Sequence, residues 1–319
     1  MFAAAALAGC ADQADHGLSG TPLSYPAQTG AWSFAGGPGA KLTTEHYDVF
    51  TTLSGGPLRS DIPGFLEACR ASYVDLTGLA EVGKGRKLPV YLFATRQQWA
   101  ALTSSITGPA ASTYLKVESG GYCYSGVCVY WDIGPTPTFN VAAHEGMHQF
   151  LHLASVQALP IWAEEGLASL AEGFRVRGGL VYFRPEDNNS RRMGLRKLIL
   201  TGRWRPAERL IGMNAADNIQ ENPLQGGEYY SQLWALLLMI RSDSQYSAGL
   251  GRLLRDAADG RMNQALGFSP SAWAQLQRNP SAYTQVVGAK AFAHYIDADP
   301  ARFERRYLAF SRKLAMLER

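Results

Sequence analysis

Thr136 and Pro137 divide this chain of 319 residues into two unlike parts. Before them, strand and helix signals alternate. The stretch KLTTEHYDVFTTL (Lys41 to Leu53) alternates and is rich in β-formers, which predicts a strand. Pro63 opens GFLEACRASYVDLTGL, where Phe65, Leu66, Cys69, Tyr73 and Leu76 recur at helical spacing. LPVYLF (Leu88 to Phe93) is a short apolar run between breakers, a buried strand. Thr95 is placed to N-cap a helix through TRQQWAALTSS, and GVCVYW (Gly126 to Trp131) is another strand. This order predicts a small mixed sheet with helices packed on it. Thr136 and Pro137 then supply an N-cap and an N1 proline for a helix through NVAAHEGMHQFLH, Asn140 to His152. Beyond it, helical patterns cover 160–173, 190–201, 228–240 and 248–258, with two or three more to the C-terminus. GGLVYFRPED reads as a hairpin arm. The expected class is α+β: an α/β part over 41–135, then the histidine-bearing helix and a helical lobe over 136–319, with the histidines at the seam.

Composition narrows the partners. Apolar residues make up 46% and charged residues 18%, a globular balance rather than a disordered one. A net charge of +3 is too small to argue for nucleic acid, and no nucleic-acid partner is expected. The densest basic run, RRMGLRK (Arg191 to Lys197), reads as a solvated helix face. At the N-terminus, Leu7-Ala8-Gly9-Cys10 resembles a bacterial lipobox, without a basic region before it. On that reading residues 1–10 are a partial lipoprotein signal, and lipid on Cys10 holds the protein at the membrane of a bacterial cell envelope. Residues 11–40, rich in Gly, Pro, Ser and Thr, read as a flexible tether. The competing reading is a frayed apolar terminus. No later run approaches the length of a membrane span. Cys123 and Cys128 flank YSGV, a loop short enough for a disulfide or for two reduced thiols facing each other.

The histidine helix carries the chemistry. His144 and His148 lie one turn apart on one face, so two imidazoles can reach one metal ion. Glu145 is offset from that face, near enough to reach a metal-bound water but not to ligate. Zinc lowers the pKa of its water, and the glutamate takes the proton and later delivers it to a leaving amine. His-Glu-x-x-His also arises by chance, so a third ligand decides. The metzincin pattern fails, because Leu151 and Ala154 stand where it needs Gly and His. His152 continues the stripe a turn farther along and reads as a neighbour, not a ligand. Downstream, LPIWAEEGLASLAEGF (Leu159 to Phe174) starts a helix at Pro160, and Glu164 or Glu165 in its first turn can complete a site of two histidines and one glutamate. Glu172, two turns past Glu165, is either a helix-face carboxylate or the group that orients a ligand histidine.

Read together, HEGMH and WAEEGLA resemble the peptidase-MA-like gluzincins, and among them an uncharacterised bacterial family of lipoproteins. EHYDVFTTL, LPVYLFATRQQWAAL and YYSQLWALLLMI fall in the order expected there. The resemblance implies a zincin-like fold, with His144, His148 and Glu165 as zinc ligands, since the glutamate directly before Gly is the ligand in that block. It implies Glu145 as general base and acid in the hydrolysis of a peptide or protein substrate. It further implies GVCVYW as the sheet edge that pairs with an extended peptide, and Tyr230 as donor to the oxyanion. Tyr229 and Tyr230 also read as plain aromatic helix residues. The chain departs from the aminopeptidases in lacking a G-x-M-E-N block, so aminopeptidase action is not expected. A non-catalytic, membrane-anchored peptide-binding module on the same scaffold is the competing function, and a metal-free helical lipoprotein a third.

Overall fold

The sheet is a mixed one of six strands. Its members are β2 (Gln28–Phe34), β3 (Gly37–Thr43), β4 (Tyr47–Thr51), β5 (Leu88–Phe93), β6 (Gly121–Tyr124) and β7 (Val127–Trp131), in the spatial order β2-β3-β4-β5-β7-β6. The β4–β5 and β5–β7 pairs are parallel and the other three antiparallel. The structure is a computed structural model that describes residues 19–80, 85–117, 120–213 and 226–317. Among the described residues, no helix is long and apolar enough to cross a membrane.

Period-two alternation decides which helix covers which face. From β5 and β7, Val90, Leu92, Cys128 and Tyr130 point to one side and join the main core with α1 (Pro57–Thr77) and α4 (Pro135–Ala154). Phe93, Val129 and Trp131 point to the other side and pack around Trp99 of α2 (Arg96–Thr107). Burial of each such ring contributes about 1.5–3 kcal/mol. Both faces being covered explains why LPVYLF is apolar throughout. A three-stranded sheet joins β1 (Thr21–Pro22) to a hairpin of β8 (Phe174–Arg177) and β9 (Leu180–Phe183), the expected arm. The fold class is α+β with a helical C-terminal part, as the pattern predicts. One buried core runs from Leu23 to Ala315, so the boundary at 135/136 separates two patterns rather than two cores.

Several expectations need correction. Residues 28–40, read as tether, form β2 and most of β3. Gly30, Gly37 and Gly39 lie inside that hairpin, where Trp32 packs beside Phe34 and Phe50 and leaves no room for a side chain at Gly39. Cys10 and residues 11–18 lie outside the described residues. Lys41 to Leu53 is not one strand: the chain turns between Thr43 and Tyr47, and its two halves belong to β3 and β4. Helix α1 starts at Pro57, not Pro63. Both prolines suit a first turn, but Leu58 and Ile62 extend the buried stripe backwards and Pro63 sits inside the helix. Helix α4 starts at Pro135 after Gly134, whose φ of 96° makes the turn off β7. GVCVYW is not the sheet edge: β7 lies between β5 and β6, and β6 is the edge.

Candidate metal centre

Helix α4 presents its histidines on the border of its buried face. Phe139, Ala142, Ala143, Met147, Phe150 and Leu151 are buried, while His144 and His148 keep side-chain exposures of 13% and 17%. Gly146 sits where α4 meets α1. A Cβ there would lie 2.4 Å from the Tyr73 hydroxyl, which donates to the Ala143 carbonyl at 2.8 Å. The glycine in HEGMH therefore serves the close approach of α4 to α1. Gly166 plays the same part in α5 (Ile161–Ala171), where an added Cβ would meet Leu237 of the Gly226–Ser242 helix at 2.3 Å. The Glu-Glu-Gly run thus presses α5 against that helix and turns its carboxylates towards α4.

Three acceptor atoms converge. His144 Nε2 lies 3.3 Å from His148 Nε2, and Glu165 Oε2 lies 3.4 Å and 3.5 Å from the two nitrogens. The other ring nitrogens are taken: His144 Nδ1 donates to Glu172 at 2.8 Å and His148 Nδ1 to Glu164 at 2.9 Å. Those carboxylates hold the proton on Nδ1 and leave both Nε2 lone pairs facing inward. Glu165 Oε2 is buried and has no hydrogen-bond partner. A tetrahedral ion with bonds of ~2.0–2.1 Å needs ligands about 3.3 Å apart, which is the spacing seen. His144, His148 and Glu165 form a group able to hold a metal ion.

Electrostatics agree with this geometry. Burial opposes charge on His144, but the Glu165 and Glu172 carboxylates beside its two ring nitrogens outweigh it and push its pKa up to about 9. His148 is raised well above its usual value, its burial outweighed by Glu165 and Glu164. Burial acts against ionisation of Glu165 too, yet the two histidines hold its pKa far below the carboxylate range. The site attracts positive charge, as protons or as a metal. Burial raises the pKa of Glu145, against the pull of His144 and His148, and the Cys123 backbone N–H faces its carboxylate. Glu165, then burial, lift the Tyr230 hydroxyl well above its ordinary pKa, so it remains a donor at neutral pH.

The group opens on a cavity of about 530 Å³ that is also lined by Glu145, Tyr230, His152, Cys123 and Tyr114. Tyr230 meets His144 edge to face at 5.7 Å between ring centroids. All five predicted site residues are therefore brought together. His152 lines the cavity but stands outside the converging set, as expected.

Three orienting partners are not marked as such by the sequence: Glu164, Arg191 and Asn188. Glu164, set aside in favour of Glu165, orients His148. Arg191, read as part of a solvated face, has a side-chain exposure of only 17%. It grips Glu172 through Nε at 2.8 Å and Nη2 at 2.5 Å and covers the Tyr230 ring at 5.1 Å, while Asn188 adds a bond to Glu172 at 3.0 Å. Nothing in RRMGLRK marks Arg191, because its partner lies 19 residues earlier on another helix. Arg191→Ala leaves a buried carboxylate without its cation and is expected to cost about 3–5 kcal/mol. Burial disfavours the Glu172 charge, but Arg191 and His144 hold its pKa down at about 2 against an ordinary 4.5. That stabilisation is fully present above pH 4.5 and is lost as pH falls from 4.5 towards 2. The gap between the metal-free variant and metal-free wild type in urea unfolding should therefore narrow across that window. A gap independent of pH would remove the ion pair as its cause.

Scans of family models, of curated proteins and of solved structures find no match to this chain, and the reading of its site rests on the geometry above.

Proposed function

We propose that this protein is a zinc metallopeptidase of gluzincin type. One observation carries the reading: two imidazole nitrogens and an orphaned, buried carboxylate oxygen face one point, with a second glutamate beside them at the floor of an open cavity. Two histidines and one carboxylate are a donor set that suits zinc and leaves a position for water or substrate. When bound, zinc supplies Lewis acidity towards a water molecule and a substrate carbonyl. Glu145 accepts a proton from the attacking water and returns it to the departing amine. Tyr230 donates a hydrogen bond to the oxygen on which charge develops. The cavity wall supports a peptide substrate. Strand β6 is a sheet edge whose outward backbone groups can pair with an extended peptide, largely independent of its side chains. Lipid attachment at Cys10 would place this activity in the bacterial cell envelope.

The test is zinc titration of the purified protein, followed by a degenerate peptide library with and without chelator. One zinc per chain and cleavage that chelator abolishes and added zinc restores are expected. Bound zinc with peptides held but intact would assign the site to a binding module instead. Failure to bind zinc would end the peptidase reading.

A further inference from the structure

The edge hairpin carries two thiols that the proposed hydrolysis does not use. Cys123 of β6 and Cys128 of β7 are directly opposed in the ladder, one pair removed from a two-residue turn. Ser125 and Gly126 both have positive φ, 50° and 77°, the primed geometry that fixes the register of a short hairpin. Opposed residues in an antiparallel pair lie about 4.5–5.5 Å apart at Cα, inside the range that a disulfide spans. The two thiols are within hydrogen-bonding reach of each other, and both are free.

Their exposures differ in a way that orders the chemistry. Cys128 is fully buried, and its thiol donates to the Glu145 carbonyl at 3.4 Å. Cys123 is half-buried and lines the cavity, open to a small reagent. The rest of the hairpin is anchored to α4, with Gln149 donating to the Gly126 carbonyl at 2.7 Å. Cys69, the third described cysteine, is buried in α1.

We propose that Cys123 and Cys128 are a modification site, a reversible dithiol–disulfide pair on the cavity wall that reacts with small-molecule disulfides of the glutathione class. The Cys123 thiolate attacks one sulfur of the reagent. Its S–S bond breaks, one thiolate leaves with the Cys123 proton, and a mixed disulfide remains on Cys123. The Cys128 sulfur then attacks Cys123, its proton passing to the second departing thiolate. Two protein thiols are oxidised and one external disulfide is reduced to two thiols. The loop so closed is short, so the bond adds little constraint to the unfolded chain. That favours a responsive pair over a permanent staple. The product fixes the strand whose backbone N–H faces Glu145.

The experiment is incubation of the full chain with oxidised glutathione, alkylation of remaining thiols, and peptide mapping by mass spectrometry. Complete loss of alkylation at Cys123 and Cys128 is expected, with one intramolecular peptide pair linked between them and Cys69 still alkylated. Cys128→Ser should stop at one glutathione on Cys123, and Cys123→Ser should leave Cys128 unmodified. Stable glutathione on Cys123 of the wild type, a link to any other cysteine, or full alkylation of both positions would overturn the proposal. None of these readouts requires metal or turnover, so they stand apart from the peptidase test.

Discussion

Replacing Glu145 with glutamine is expected to leave zinc binding unchanged and to lower turnover by about 10²–10⁴-fold, the range for loss of one general base. Shape is conserved: the carboxamide oxygen still accepts from the Cys123 N–H that faces the wild-type carboxylate. The converging atoms belong to His144, His148 and Glu165, so metal affinity has no direct stake in Glu145. What the variant loses is a proton acceptor. In wild type, burial lifts the pKa of Glu145 while the neighbouring histidines draw it down, and a divalent cation in their place draws it down further. Such a cation would favour the ionised carboxylate, the form that accepts a proton. Zinc titration and kcat and KM on a library-selected peptide give the answer. The loss should fall on kcat, since the carboxylate acts on the transferring proton and not on the bound peptide. Turnover within about tenfold of wild type would remove Glu145 from the chemistry, because general-base loss starts at about 10². Loss of zinc would make it a ligand.

The parts of this site that were legible in the sequence share one property: their geometry is local. His144 and His148 face the same way because four residues make about one helical turn. Pro160 fixes where the next helix begins and so puts Glu164 and Glu165 in its first turn, while the choice of Glu165 came from the resemblance of WAEEGLA. The parts that were not legible depend on contacts between distant segments. Strand β6 has only four residues, Gly-Tyr-Cys-Tyr, and its place at the edge follows from sheet order, which no local pattern encodes. Arg191 obeys the spacing of an exposed helix face and is buried only because the Glu172 carboxylate needs a cation there. The hairpin of β2 and β3 was hidden by its glycines and prolines, which composition assigns to linkers. Trp32 and Phe34, at alternate positions, were the signal against a tether, since such rings bury surface that a tether would leave in water.

The choice between the two adjacent glutamates yields the other large effect. Zinc sites of four ligands release roughly 10–16 kcal/mol, or about 3–4 kcal/mol per ligand. Glu165→Gln is therefore expected to weaken zinc binding by about 10²–10³-fold. Glu164→Gln removes only the acceptor that orients His148 and should cost about 10–100-fold. A second readout separates the roles in metal-free protein. His144 is raised to about 9, and His148 is also raised, chiefly because Glu165 faces both Nε2 atoms. Raised histidines add stability that is fully present below their unfolded value of about 6.5 and is lost as pH rises through the folded value. Metal-free wild type should thus lose stability between about pH 6.5 and 9. Glu165→Gln should flatten that slope, and histidine resonances followed by NMR should titrate at lower pH. Glu164→Gln should lower the titration of His148 while leaving that of His144 in place, because Glu164 bonds only His148. If Glu164→Gln instead abolishes zinc binding while Glu165→Gln retains it, the ligand is Glu164 and the convergence at Glu165 Oε2 is a salt bridge.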